Sequence, residues 1–243
     1  MRIKGIVSYK GTNYYGWQKQ DNQVTVEGKI EEILSKILDT DINILASGRT
    51  DAGVHALGQV FHFDIEKEVD LAKLLYATNS LLPKDISIIS LEQVDESFQA
   101  RYSAKGKHYR YIIDFNHKNP FGFETTYNCL FPTDKNLLKE SLLKFVGEHD
   151  FKDFTAKETD EGNFIRNIYN IEISENNNIF TIDLYGNGFM RYMIRFIVGA
   201  ALAVAWKKED ISFIDYHLSS KENREITCYK APPQGLYLVE VLY

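Results

Sequence analysis

Seven residues, Ser47-Gly48-Arg49-Thr50-Asp51-Ala52-Gly53, stand between two strand-like stretches and hold one carboxylate, one guanidinium and two glycines. A tight hairpin needs about two to five loop residues, and longer loops on a rigid scaffold are where reactive groups concentrate. The G-x-x-x-x-G spacing invites a phosphate-cradling loop. However, Val54-His55 stand where Lys and Ser or Thr are required, and the next element is a strand instead of a helix. Two readings of Asp51 remain: the side chain of an Asx turn, or a reactive carboxylate presented on a loop.

A second concentration runs from Phe98 to Tyr111. It has four bases (Arg101, Lys105, Lys107, Arg110), four aromatics (Phe98, Tyr102, Tyr109, Tyr111) and no acid. Basic groups attract a phosphate backbone and aromatic faces stack on unpaired bases, so this composition suits either a single-stranded RNA surface or a half-buried strand with a cationic outer face. Arg195 is the third candidate. It follows Arg191 by four positions and lies among Met193, Ile194, Phe196 and Ile197. A guanidinium buried there calls for a carboxylate or phosphate, whereas one on the surface would snorkel past its apolar neighbours. Gly186-Asn187-Gly188, just before the helix expected from Phe189 that carries Arg195, could lend amides to an anion. The six His show no H-x-x-x-H pair, Cys129 and Cys228 stand 99 positions apart, and no G-x-S-x-G elbow occurs. Neither a metal site, a disulfide nor a serine nucleophile is therefore expected.

The elements that must position these groups belong to an ordinary globular chain. It has 243 residues, 44% of them hydrophobic, with 28 Lys+Arg against 34 Asp+Glu, which excludes collagen-like and wholly disordered classes. Residues 1–100 carry 10 basic and 15 acidic groups and residues 101–243 carry 18 and 19, so any anion site must be local. The longest apolar run, Phe196 to Trp206, has 11 residues, short of the ~20 of a membrane span. No secretory leader is legible from Met1 to Tyr9. A cytoplasmic protein with reduced thiols and no membrane contact is expected.

Arg2 to Tyr9 alternates like a strand. Val26, Ile30, Ile33, Leu34, Ile37 and Leu38 keep a helical period, Ile42 to Ala46 and Leu57 to Ile65 read as strands, and Leu71 to Leu82 is a helix capped by Asp70 and stopped by Pro83. Ile86 to Val94 completes β-α-β-β-α-β. The second half repeats the order. A strand over Lys107 to Phe115 is followed by a helix over Asp134 to Val146 and a hairpin of Ile168–Ser174 with Ile179–Tyr185 around Asn176-Asn177-Asn178. Helices over Phe189 to Trp206 and Ile211 to Leu218 precede a last strand from Leu236 to Tyr243. The expectation is an α+β protein of two RRM-like, ferredoxin-like halves, residues 1–103 and 104–243, flanking a central cleft.

Gly48-Arg49-Thr50-Asp51-Ala52-Gly53-Val54-His55-Ala56 resembles the catalytic segment of the TruA family of tRNA pseudouridine synthases. In the same chain order, Lys10 to Gln18, Leu81 to Ile86, Gln99 to Tyr102, Lys107 to Tyr111, Gly147 to Phe151, Gly186 to Met190, Met193 to Gly199 and Ala231 to Leu236 resemble its other signatures. The resemblance implies the pseudouridine synthase fold and conversion of uridine to pseudouridine in the anticodon stem and loop of tRNA, at the family's positions 38, 39 and 40. It implies no cofactor or catalytic metal, and a homodimer. Asp51 would be the catalytic carboxylate, acting on the ribose or the uracil. Tyr109 would stack on the flipped base and assist proton removal, and Arg195 would keep Asp51 ionised. Arg49 would hold the flipped nucleotide and Leu236 would pack beside the base. Arg101 and Lys105 are expected to meet the tRNA backbone.

Two other classes compete. A tandem RNA-binding module would carry its aromatic motif on the third strand of each half, not on a first strand as at Lys105 to Tyr109. An Asp-based glycoside or phosphate hydrolase would need a second convergent carboxylate or a metal.

Overall fold

The computed structural model describes residues 1–156, 162–219 and 225–243. It divides into two units, one of Met1–Lys105 with Tyr237–Tyr243, the other of Gly106–Leu236. Each unit is α+β, the expected class.

The first unit runs β1 (Arg2–Tyr9), α1 (Val26–Leu38), β2 (Leu45–Ala46), β3 (His55–Asp64), α2 (Leu71–Leu81) and β4 (Ile86–Val94). β1 pairs antiparallel with both β3 and β4 and turns Ile3, Val7 and Tyr9 inward. Thr25 caps α1 by accepting from the Gly28 amide at 3.3 Å, and the helix buries Val26, Ile30, Ile33 and Leu34. Asp70 caps α2 as its sequence position requires, accepting from the amides of Ala72 and Lys73. The strand expected from Ile42 shrinks to two residues because α1 side chains take its amides. Ile42 N–H donates to Ser35 Oγ and Ile44 N–H to Glu31 Oε1.

The segment after β4 folds back over the outer face of β1 and β3. Phe98 meets the rings of His62 and Tyr243 at 6.1 and 5.1 Å, Tyr243 donates to the Ala100 carbonyl, and Ala100 N–H donates to His62 Nδ1 at 3.2 Å. Burial, reinforced by the charge of Arg2, pushes the His62 imidazole below its ordinary 6.5. The unfolded chain therefore takes up a proton that the folded one refuses, and stability is lost as pH falls through 6.5 toward the depressed value. His62→Gln, whose amide oxygen can accept from Ala100, should lose less stability between pH 7.5 and 5.5 than the parent. Urea midpoints at the two pH values measure this, and equal losses would contradict it.

The second unit contains β5 (Gly106–Asp114), β6 (Tyr127–Asn128), α3 (Lys135–Leu143), β7 (Gly147–Asp150), β8 (Ile165–Asn176), β9 (Ile179–Gly186), α4 (Met193–Ala205) and α5 (Ser212–Leu218). Its strands lie in the order β5-β9-β8-β7, with β6 beside β5. Asn177 and Asn178, at φ 50° and 61°, make the β8–β9 connection, as a tight type I′ hairpin requires. Every residue of α4 is buried, which accounts for its continuous apolar run. The helix starts at Met193, four residues later than the sequence suggests, because Tyr192 takes a left-handed φ of 63°. Among the described residues no helix is long and apolar enough to cross a membrane.

One element sits elsewhere than expected. The sequence pattern assigns the last strand, β10 (Leu236–Leu242), to the second half. From Tyr237 on it belongs to the first unit, parallel to β3 with Tyr237 opposite His55 and Leu238 opposite Ala56. A parallel pairing formed across so many residues leaves no local trace in the pattern of apolar positions.

Candidate active site

The loop between β2 and β3 is built from main-chain constraints. Val54 N–H donates to the Asp51 carbonyl at 3.1 Å, and Gly53 has φ 76°, as the third position of a type II turn demands. Asp51 is thus the first residue of a turn and is half-buried. The residue before it is anchored twice. Thr50 Oγ1 meets the Tyr9 hydroxyl at 2.8 Å, and the Thr50 carbonyl accepts from Trp17 N–H at 3.1 Å. Gly16 permits this contact, since a Cβ there would stand 2.7 Å from the Thr50 carbonyl oxygen. Ahead of the loop, Gln59 bonds Ser47 Oγ at 2.7 Å and the Gly48 carbonyl at 2.8 Å. Arg49 is exposed. Its charge opposes the rise that burial imposes on the Glu27 carboxyl, and Glu27 itself accepts from Trp17 Nε1 and Lys19 N–H. Tyr9, Gly16, Trp17 and Gln59 are the supports that sequence reasoning missed. The glycine between Tyr15 and Trp17 was their one visible signal.

In the second unit Tyr109 lies on β5 opposite Leu184 of β9. It is 8% exposed, with its ring edge-on to Phe189 at 5.2 Å. Tyr111, two residues on, is fully buried; it donates to the Pro232 carbonyl at 2.8 Å, and burial holds its phenol well above the ordinary value. Arg195 is 9% exposed. Its Nε donates to the Ala231 carbonyl at 2.8 Å, while its own carbonyl accepts from Ala231 N–H at 2.8 Å. This reciprocal pair sets the direction of the guanidinium and uses one of its five donors. Leu236, at the start of β10, is buried.

The Phe98–Tyr111 stretch is not one stacking platform. Phe98 packs in the first unit, Tyr109 and Tyr111 are buried in the second, and of the four aromatics Tyr102 alone is well exposed, at 78%. Its basic half stays available: Arg101 and Lys105 are exposed, and the Arg101 guanidinium lies 5.6 Å from the Tyr102 ring.

Gly199 lets the Ala231 segment reach α4. A Cβ there would stand 2.5 Å from the Tyr229 carbonyl oxygen and 2.9 Å from Ala231 N, both main-chain atoms that cannot swing aside. Gly199→Ala should cost about 1–3 kcal/mol and lower the thermal midpoint by several degrees. A midpoint equal to the parent's in calorimetry would mean that the segment yields freely.

The chain belongs to the tRNA pseudouridine synthase family, whose model matches residues 6–103 and 142–243. Membership makes it an enzyme of the isomerase class, converting uridine to pseudouridine in tRNA. Proteins called tRNA pseudouridine synthase A are similar over nearly its whole length. That of Caldicellulosiruptor saccharolyticus is 41% identical over 242 residues, 98% of this chain and 97% of the relative. That of Bacillus pumilus is 41% identical over 248 residues, 100% and 99%, and that of a Thermoanaerobacter species 37% over 240 residues, 98% of each. The matched segments contain Arg49, Asp51, Arg101, Arg195 and Leu236, whereas Lys105 and Tyr109 fall between them.

Proposed function

We propose that the chain isomerises uridines of the anticodon stem and loop, at tRNA positions 38 to 40, with Asp51 as the reacting carboxylate. The observation that carries this reading is the Asp51 turn, a half-buried carboxylate on a loop fixed by Thr50 and Gly53 and lying inside a segment matched to the family. In the reaction the bond from N1 to the ribose breaks, the uracil turns, and C5 bonds to the same ribose carbon. C5 gives up its proton and N1 gains one, so atoms and electrons balance without an oxidant, reductant or group donor.

The target nucleotide must leave the stack to be reached. In this reading Asp51 acts on its ribose or uracil, Tyr109 takes the base against its ring and assists the proton transfer, and Leu236 packs beside it. Arg49 holds the flipped nucleotide, and Arg195 keeps the carboxylate ionised by opposite charge. Arg101 and Lys105 meet backbone phosphates. Charge reversal at either should weaken tRNA binding several-fold more than reversal at Lys36, an exposed residue of α1; equal losses in filter binding would remove both from the interface. A cytoplasmic homodimer completes the proposal: analytical ultracentrifugation should give twice the chain mass, and a single-chain mass would overturn the dimer.

The test is to incubate the protein with unmodified tRNA and map pseudouridine by sequence position. Product confined to positions 38 to 40 supports the reading. Product elsewhere in the tRNA overturns the anticodon assignment.

A further inference from the structure

Tyr192 precedes α4 at φ 63°, a backbone region that bulky residues rarely occupy. The structure around it holds it there. Its carbonyl accepts from Phe196 N–H at 2.9 Å, and the preceding Arg191 carbonyl accepts from Ala156 N–H at 3.2 Å and from Thr155 Oγ1 at 3.1 Å. Unusual backbone of this kind clusters at ligand clamps.

The ring so presented is surrounded by positive charge. Lys230 Nζ lies 4.4 Å from its centroid, the Arg191 guanidinium 5.0 Å and the Arg195 guanidinium 5.2 Å. The three charges therefore lie within roughly 10 Å of one another, about one Debye length at 0.1 M salt. The first turn of α4 has no acidic residue, and Lys230 approaches a second ring, Phe196, at 5.9 Å. Arg191 and Lys230 are exposed and Tyr192 is half-buried, so the group can be reached from solvent. Arg195 is given to Asp51 in the reading above, so the like charges left to repel across the ring are Arg191 and Lys230, and a bound anion offsets that repulsion. Arg191 also donates from Nη2 to the Tyr192 hydroxyl at 3.3 Å, whereas the cation–π contact of Lys230 holds its ammonium against the ring without consuming its N–H donors.

We propose that Arg191, Tyr192 and Lys230 form a binding site for a phosphodiester of the tRNA backbone, beside the nucleotide handled through Arg195. The proposal rests on the reading of Arg195 given above for its location, but not for its chemistry. Tyr192 is the platform that fixes the two cations.

The test measures binding of unmodified tRNA to Lys230→Gln and Arg191→Gln over a range of salt concentrations, alongside steady-state kinetics. Each variant should lower the slope of log affinity against log salt by about 0.7–0.9, with a several-fold loss of affinity near 0.1 M salt, a raised KM and an unchanged kcat. Lys230→Arg should keep the parental slope. Tyr192→Phe, which keeps the ring but loses the hydroxyl that accepts from Arg191, should lower the slope less than Lys230→Gln does, and Tyr192→Asn, which tolerates the left-handed backbone but has no ring, should match Lys230→Gln. Unchanged slopes in the two Gln variants, with parental unfolding midpoints, overturn the proposal. So does saturable binding of inorganic phosphate that Lys230→Gln abolishes without altering the tRNA slope, since that assigns the site to a free anion. The same slopes measured in the Asp51→Asn background separate the two readings. A slope change there, with pseudouridine still formed by Asp51→Asn near the parental rate, leaves the phosphate site standing and removes the catalytic assignment.

Discussion

Asp51→Asn should bind unmodified tRNA within about twofold of the parent and lose pseudouridine formation by at least roughly 10⁴-fold. The change is nearly isosteric. Main-chain bonds from Trp17 and Val54 and the contact between Thr50 and Tyr9 hold the loop without using the Asp51 carboxylate, and Asn is as acceptable as Asp at the first position of a turn. What disappears is the charge. Asp51→Glu restores that charge but displaces it by about one methylene, and a misplacement of about 1 Å costs on the order of 10²-fold. Single-turnover assays with excess enzyme separate chemistry from binding. Turnover by Asp51→Asn near the parental rate would remove Asp51 from the chemistry.

Arg195→Met should lower kcat by about 10²–10³-fold while raising KM little. Arg195→Lys should recover only part of the loss, because an ammonium cannot serve the Ala231 carbonyl and a second anion in the fixed geometry of a planar fork. Losing that buried hydrogen bond also costs about 1–3 kcal/mol, so unfolding midpoints must accompany the rates. The structural and catalytic effects part company in the double variant. If Arg195 acts through Asp51, adding Arg195→Met to Asp51→Asn removes little further activity, since residues acting as one unit are non-additive. Full additivity, or a loss confined to tRNA affinity, would make Arg195 a phosphate grip.

Local chemistry made much of this structure legible before any coordinates. Asp70, the apolar period of α1 and the paired Asn177-Asn178 turn each act within a few residues, and each element stands where those signals put it. The Asp51 loop was legible through its length and glycines, of which Gly53 serves the turn. What failed depends on distant partners. β6 and β7, of two and four residues, exist by pairing with β5 and β8 and are too short to show a period. The start of α4 was misplaced because the turn at Tyr192 is tied down by bonds from Thr155 and Ala156 to the preceding Arg191 carbonyl. The grip of Ala231 on Arg195 spans 36 positions and has no sequence signature beyond Gly199. The stretch from Phe98 to Tyr111 looked like a single surface because composition records neither which face of β5 an aromatic occupies nor the segment that covers Phe98.

The most direct measurement is the structure of the Asp51→Asn protein bound to unmodified tRNA, in which substrate is held unreacted. If Asp51 is the reacting carboxylate, one uridine of positions 38 to 40 should be extruded with its base against the Tyr109 ring and its ribose or uracil within about 3 Å of the substituted side chain at position 51. An anticodon arm bound with those uridines still stacked, or an extruded nucleotide remote from the Gly48–Gly53 turn, would contradict it.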